Sequence, residues 1–123
     1  MSRLALVVDD SLSMRKIVSR TLQGAGFEVV EAANGKEALD ALAARTVNVV
    51  ITDYNMPVMD GIEFMRGVRE TEKDKFTPVI FLTTEIEDAK RDEARAAGAT
   101  AWIAKPFSPE KILEVVNKVV PAP

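Results

Sequence analysis

The chain has 123 residues, 47% of them hydrophobic and 28% charged, with a formal net charge of −3. That length suits one domain burying about two-thirds of its unfolded surface, and the mildly acidic balance gives no reason to expect nucleic acid or an anionic membrane as a partner. With no cysteine and no histidine, the chain cannot form a disulfide, a thiolate or imidazole metal site, a Ser-His-Asp triad or a phosphohistidine. A metal here takes oxygen ligands, as Mg²⁺, Ca²⁺ and Mn²⁺ do.

Met1-Ser2-Arg3 runs straight into the apolar stretch 4–8, too short for a signal-peptide core or a membrane span, so a cytoplasmic protein is expected. Residues 4–8 read as a buried strand ending in Asp9 and Asp10. Ser11 or Ser13 caps a helix with the stripe Met14, Ile17, Val18, Thr21 and Leu22, and Gly24 and Gly26 end it. A short strand follows at 27–30. Asn34, three before Glu37, then opens a second helix with Ala38, Leu39 and Leu42 inward. The stretch 47–53 is an almost unbroken β-branched run ending in Asp53, the pattern of a strand buried on both faces. Pro57 and Gly61 stop it.

Asp60 is read as the cap of a third helix, with Glu63 at the capping-box spacing and Ile62, Met65 and Val68 inward. Residues 70–75 read as a charged, solvated loop. A fourth strand at 78–82 ends in Thr83-Thr84. The helix at 88–97 has only Ala89, Ala94, Ala96 and Ala97 to bury, which predicts the loosest helix of the fold. Gly98 ends it, and the short strand 101–104 runs into Lys105-Pro106. Ser108-Pro109 starts a last helix that buries Ile112, Val115, Val116 and Val119.

Five strands alternating with five helices mean an α/β fold: a parallel sheet with helices on both faces, whose length suits the order 2-1-3-4-5. One domain over 1–123 is expected, with no output domain. In such a sheet all carboxyl ends lie along one edge, so Asp9, Asp10, Asp53, Thr83, Thr84 and Lys105 converge. Two like charges ~4 Å apart repel by about 4 kcal/mol at an effective dielectric of 20. A divalent cation relieves this, and Mg²⁺ favours one or two carboxylates, retained waters and a phosphate oxygen. A hydroxyl and an ammonium suit the other phosphoryl oxygens, and a carboxylate can itself be the nucleophile, giving an acyl phosphate. The spacing predicts a Mg²⁺-dependent phospho-aspartate site. No P-loop is present, and Gly24-x-Gly26 follows a helix rather than a strand, so no nucleotide is expected.

Asp9-Asp10, Asp53 with Met56-Pro57-x-x-Asp60-Gly61 behind it, Thr83, and Lys105-Pro106-Phe107 together resemble the receiver domain of two-component response regulators. The resemblance covers residues 4–120 and implies the flavodoxin/CheY-like version of the fold. The run from Gly98 to Phe107, with Thr83-Thr84-Glu85 before it, looks most like free-standing chemotaxis regulators of the CheY type. By that resemblance Asp53 accepts a phosphoryl group from a CheA-like histidine kinase. Mg²⁺, or Mn²⁺, is held by Asp10, Asp53 and the backbone carbonyl of Asn55, with Asp9 acting through a water. Thr83, with Thr84 beside it, binds the phosphoryl group, Lys105 pairs with it, and the Lys105–Pro106 bond is cis. Trp102 stands where the best-known members carry a tyrosine that swings inward on activation. Indole is larger and has no acceptor, so that two-position switch does not carry over unchanged. Tyr54 covers the site or limits access to it.

The resemblance further implies a monomeric switch with slow autophosphatase character rather than an enzyme. Its readout face is the fourth helix, fifth strand and fifth helix, where Arg91, Arg95 and Trp102 meet a target such as a flagellar switch protein. A phosphorelay shuttle or a phosphate sink would use the same site. A haloacid-dehalogenase-type phosphatase also uses a strand-end Asp, Mg²⁺, Thr and Lys. However, Asp53-Tyr54-Asn55 lacks the second acid of its Asp-x-Asp motif, and no cap insertion encloses a substrate.

Overall fold

Hydrophobic runs without alternation become strands buried on both faces. In the computed structural model, which describes residues 3–53, 59, 61–71, 74–83 and 88–120, β3 (Val49–Asp53) and β4 (Val79–Thr83) are buried at every residue. With β1 (Arg3–Val8), β2 (Phe27–Ala32) and β5 (Ala101–Ala104) they form one parallel sheet in the order β2-β1-β3-β4-β5. This is the predicted order.

Alternate residues of the strands feed two cores. Leu4, Leu6, Val8, Val50, Val79 and Phe81 pack with α2 (Gly35–Ala44) and α3 (Gly61–Glu70). Ala5, Val7, Val49, Ile51, Ile80 and Leu82 pack with α1 (Leu12–Gly24) and α5 (Pro109–Val119). Because both faces are covered, only the strand ends are open to ligands, and the carboxyl ends form the edge that matters here.

The helix signals mostly work as expected. Ser11, rather than Ser13, caps α1, its side chain accepting from the Met14 N–H. Asn34 accepts from the Glu37 N–H, while Glu37 reaches back to the Ala33 N–H. Ser108 caps α5 with Pro109 in its first turn. α4 (Asp88–Ala97) spans the predicted residues; Ala97 packs against the α2/α3 core, whereas Ala96 is exposed. The side chains of Ala89 and Ala94 lie outside the described residues, as do Asp60 and Pro57.

Two expectations are corrected in part. The stripe of α1 holds at Val18 and Leu22, with Met14 and Thr21 half-buried, but Ile17 is 48% exposed and Ser19 and the half-buried Arg15 share the inner face. An arginine and a serine on that face disguised it, because an apolar stripe is what sequence periodicity detects. The stretch 70–75 is not wholly solvated, because Asp74 is buried. Its Oδ1 accepts from Thr77 Oγ1 at 3.1 Å, and its own carbonyl accepts from Arg69 Nη1 at 2.9 Å. Smaller departures lie at element ends: β2 runs on to Ala32, β3 starts at Val49, and Val119 is only partly buried.

Candidate functional site

Parallel pairing aligns Val8 with Thr52, Asp53 with Leu82, and Thr83 with Ala104. The residues just past or at these positions therefore meet at one edge. Carboxylate oxygens of Asp9, Asp10 and Asp53 lie within 4.8 Å of one another. Asp9 and Asp53 are only 2% and 7% exposed, whereas Asp10 opens to solvent. Lys105 crosses from the end of β5, its Nζ donating to Asp53 Oδ1 at 3.1 Å. Its backbone N–H donates to the Thr83 carbonyl, tying the lysine to the end of β4, and Thr83 itself is buried.

Each acid has a different surrounding. Burial pushes the Asp9 carboxyl above its ordinary value. The Ser11 N–H and the Lys105 charge oppose this, and the neighbouring Asp53 and Asp10 add to it. Asp9 Oδ1 accepts from the Ser11 N–H at 2.9 Å, while its buried Oδ2 has no hydrogen-bond partner among the described residues. A buried carboxylate oxygen left without a partner is costly. An all-oxygen acidic cluster with one such oxygen fits a hard divalent cation.

The other expected residues divide. The Lys105–Pro106 peptide is cis, as expected. Trp102 is partly buried against the α2/α3 core side of β5, and it lines an open cleft with Arg95, Ala99, Thr100 and Ala101. Asn55, Tyr54 and Thr84 lie outside the described residues, as does the side chain of Arg91. Two residues beside the site, Arg15 and Glu31, were not anticipated from the sequence. Arg15 donates from Nη1 to the Asp9 carbonyl at 2.8 Å and from Nε to Glu31 Oε1 at 2.9 Å. The available signal was spacing: Arg15 stands seven before Leu22 on the same helical face.

The profile of the response regulator receiver domain matches residues 5–117. The chain belongs to that family. Chemotaxis protein CheY1 of Helicobacter pylori is 42% identical over 117 residues, which is 94% of each chain. The CheY protein of Pseudomonas aeruginosa is 39% identical over 118 residues, 93% of each. The high-resolution structure of the chemotaxis response regulator CheY4 of Vibrio cholerae superposes with a TM-score of 0.94 at 48% identity, covering 98% of this chain and all of that one. This receiver is thus CheY-like along its length, in a family of phosphorylation-driven, Mg²⁺-dependent switches rather than enzymes of the ordinary kind. Membership of that family displaces the haloacid-dehalogenase alternative.

Proposed function

We propose that this receiver is a chemotaxis-type switch with Asp53 as its phosphoacceptor. The observation that carries the reading is Lys105 Nζ 3.1 Å from Asp53 Oδ1, inside a cluster of three carboxylates within 4.8 Å. An Asp53 oxygen attacks the phosphorus of a phosphohistidine. The new P–O bond forms as the P–N bond breaks, and the leaving imidazole takes a proton from solvent. This chain has no histidine, so the donor is another protein, a CheA-like kinase.

Asp10, Asp53 and the Asn55 carbonyl would hold Mg²⁺, or Mn²⁺ in its place, with Asp9 reaching it through a water. Bound there, the ion offsets charge on the phosphoryl oxygens. Lys105 keeps its place beside Asp53 and pairs with one phosphoryl oxygen, while the Thr83 hydroxyl donates to another and Thr84 flanks it. The carboxylate becomes a group of charge near −2. The new bonds from Thr83 and Lys105 to the phosphoryl oxygens favour a second arrangement of the β4 end and Trp102. Water then hydrolyses the acyl phosphate slowly and resets the switch.

The readout face is α4, β5 and α5, with Arg95 and Trp102 toward a target of the flagellar-switch kind; the chemotaxis relatives support this. The chain acts as a single receiver unit over 1–123, monomeric and cytoplasmic. Its match to 94% of the length of the H. pylori relative supports the single unit, and among the described residues no helix is long and apolar enough to cross a membrane.

The test is intact mass after mixing the protein with Mg²⁺ and a small acyl-phosphate donor, repeated with a histidine-kinase donor. One phosphoryl group is expected, gained only with metal and absent in Asp53→Asn. No adduct from either donor on folded protein, or an unchanged adduct in Asp53→Asn, overturns the assignment.

A further inference from the structure

The turn that carries Asp9 and Asp10 is clamped from outside the acidic cluster. The Asp9 N–H donates to the Ala32 carbonyl at 3.1 Å, its carbonyl accepts from Arg15, and its Oδ1 accepts from the Ser11 N–H. Of its polar groups only Oδ2, buried, lacks a hydrogen-bond partner among the described residues. The ties to Ala32, Arg15 and Ser11 fix the residue and leave that one oxygen to the acidic cluster.

Arg15 is the charged member of the clamp, and its own charge is answered. Its Nε donates to Glu31 Oε1, and Lys16 Nζ donates to Glu31 Oε2 at 2.9 Å. The Arg15 and Glu31 side chains are 17% and 23% exposed, so this pair is shielded in a way that a loose surface ion pair is not. A guanidinium beside a cation site is a liability unless a carboxylate balances it, and Glu31 on β2 stands where it can do so.

We propose that Arg15 is a positioning residue for the metal site, holding the Asp9 backbone, and that Glu31 neutralises it so that the site keeps its affinity for a dication. This rests on the reading of Asp9, Asp10 and Asp53 as a divalent-cation site. Groups that orient metal ligands commonly matter in this way, their loss costing roughly 10–100-fold in metal affinity. The two residues act differently. Arg15 works through geometry, which salt does not touch. Glu31 works through charge, which salt screens in part: the screening length falls from about 10 Å at 0.1 M to about 3 Å at 1 M, with less effect on a half-buried pair.

The experiment is calorimetric titration of Mg²⁺ into wild type, Arg15→Ala and Glu31→Gln at about 0.1 M and about 1 M salt, where the screening lengths differ as above. Thermal unfolding of each metal-free protein runs alongside. Arg15→Ala is expected to weaken Mg²⁺ binding roughly tenfold or more at both salts. Glu31→Gln is expected to weaken it at low salt and to recover part of that loss at high salt, whereas the Arg15→Ala loss does not shrink. Wild-type affinity in folded Arg15→Ala overturns the proposal. So does a loss in both variants that is matched by collapse of the metal-free melting temperature, which would mean a structural role alone. If Arg15→Ala does not fold, Glu31→Gln decides, and no loss at low salt overturns the proposal. Failure of the wild type to bind Mg²⁺ would instead strike the metal reading itself, an outcome distinct from any difference between variants.

Discussion

Lys105 and Glu31 show how single charges set the behaviour of this edge. Lys105 sits 3.1 Å from Asp53 Oδ1, so it partly neutralises the cluster while also repelling any dication that enters. A unit charge and a dication about 6 Å apart repel by roughly 1.4 kcal/mol even at the dielectric of water. Lys105→Met is therefore expected to bind Mg²⁺ more tightly, by up to about tenfold, yet to hold the phosphoryl group less well. Calorimetry and the half-life of the phosphorylated form would read the two effects separately.

Glu31 gives a pH prediction. Burial pushes its carboxyl up, but hydrogen bonds from Lys16 and Arg15, with their charges, outweigh it and hold the group below its ordinary value. A depressed folded pKa contributes stability that is fully present above the unfolded value of about 4.3 and fades as the pH falls through the folded value. The stability gap between wild type and Glu31→Gln should accordingly be open at neutral pH and close progressively in acid below about pH 4. Denaturant melts across that range would check it, and a gap independent of pH would contradict it.

At the scale of elements, α4 depends on its neighbours. It has little apolar surface, yet its end is tied by Arg69 of α3, whose Nη2 donates to the Gly98 carbonyl at 2.8 Å. The same guanidinium donates from Nη1 to the Asp74 and Thr77 carbonyls at 2.9 and 2.7 Å. One side chain thus fastens the end of α3, the approach to β4 and the turn after α4. Gly98 has φ +110°, and a Cβ there would stand 2.9 Å from Arg69 Nε. Gly98→Ala is expected to cost at least about 1 kcal/mol through backbone strain alone. Displacing Arg69 would add to that, because charge-assisted hydrogen bonds are each worth roughly 1.5–3 kcal/mol. By comparison Ser108→Ala, which removes the cap accepting from the Lys111 N–H, should cost about 1 kcal/mol. Urea unfolding of the two variants would rank them, and a smaller loss at Gly98 would refute the fastening role of Arg69.

Across the whole molecule, the site and the readout face are joined by β4 and β5. Thr83 pairs with Ala104, and Phe81 with Trp102, so the end of β4 and the tryptophan belong to one pair of hydrogen-bonded strands. Trp102 is the chain's single tryptophan, which makes it a built-in reporter. Phosphodonor with Mg²⁺ is expected to change its emission in wild type and leave it unchanged in Asp53→Asn. Thr83→Ala should still gain the phosphoryl mass while losing most of the emission change. An undiminished change in Thr83→Ala would show that the coupling runs elsewhere.

The alternation of strand and helix signals, the caps at Ser11, Asn34 and Ser108, and the acids and lysine at strand ends were legible in the chain, because each depends on local geometry or on the run of apolar residues. Strand order could be anticipated from the same pattern, since parallel strands joined by helices admit few arrangements. What only the tertiary structure decided were polar groups placed by packing: Asp74 buried in its turn with Thr77 bonded to its carboxylate, Arg15 and Ser19 turned to the sheet side of α1, and Glu31 of β2 drawn to the Arg15 that clamps Asp9. Hydrophobic periodicity registers where apolar side chains go. A buried polar group is placed by the hydrogen bonds and charges that offset its desolvation, and no apolar period marks those, whether the partner is three residues away as for Asp74 or sixteen as for Arg15 and Glu31.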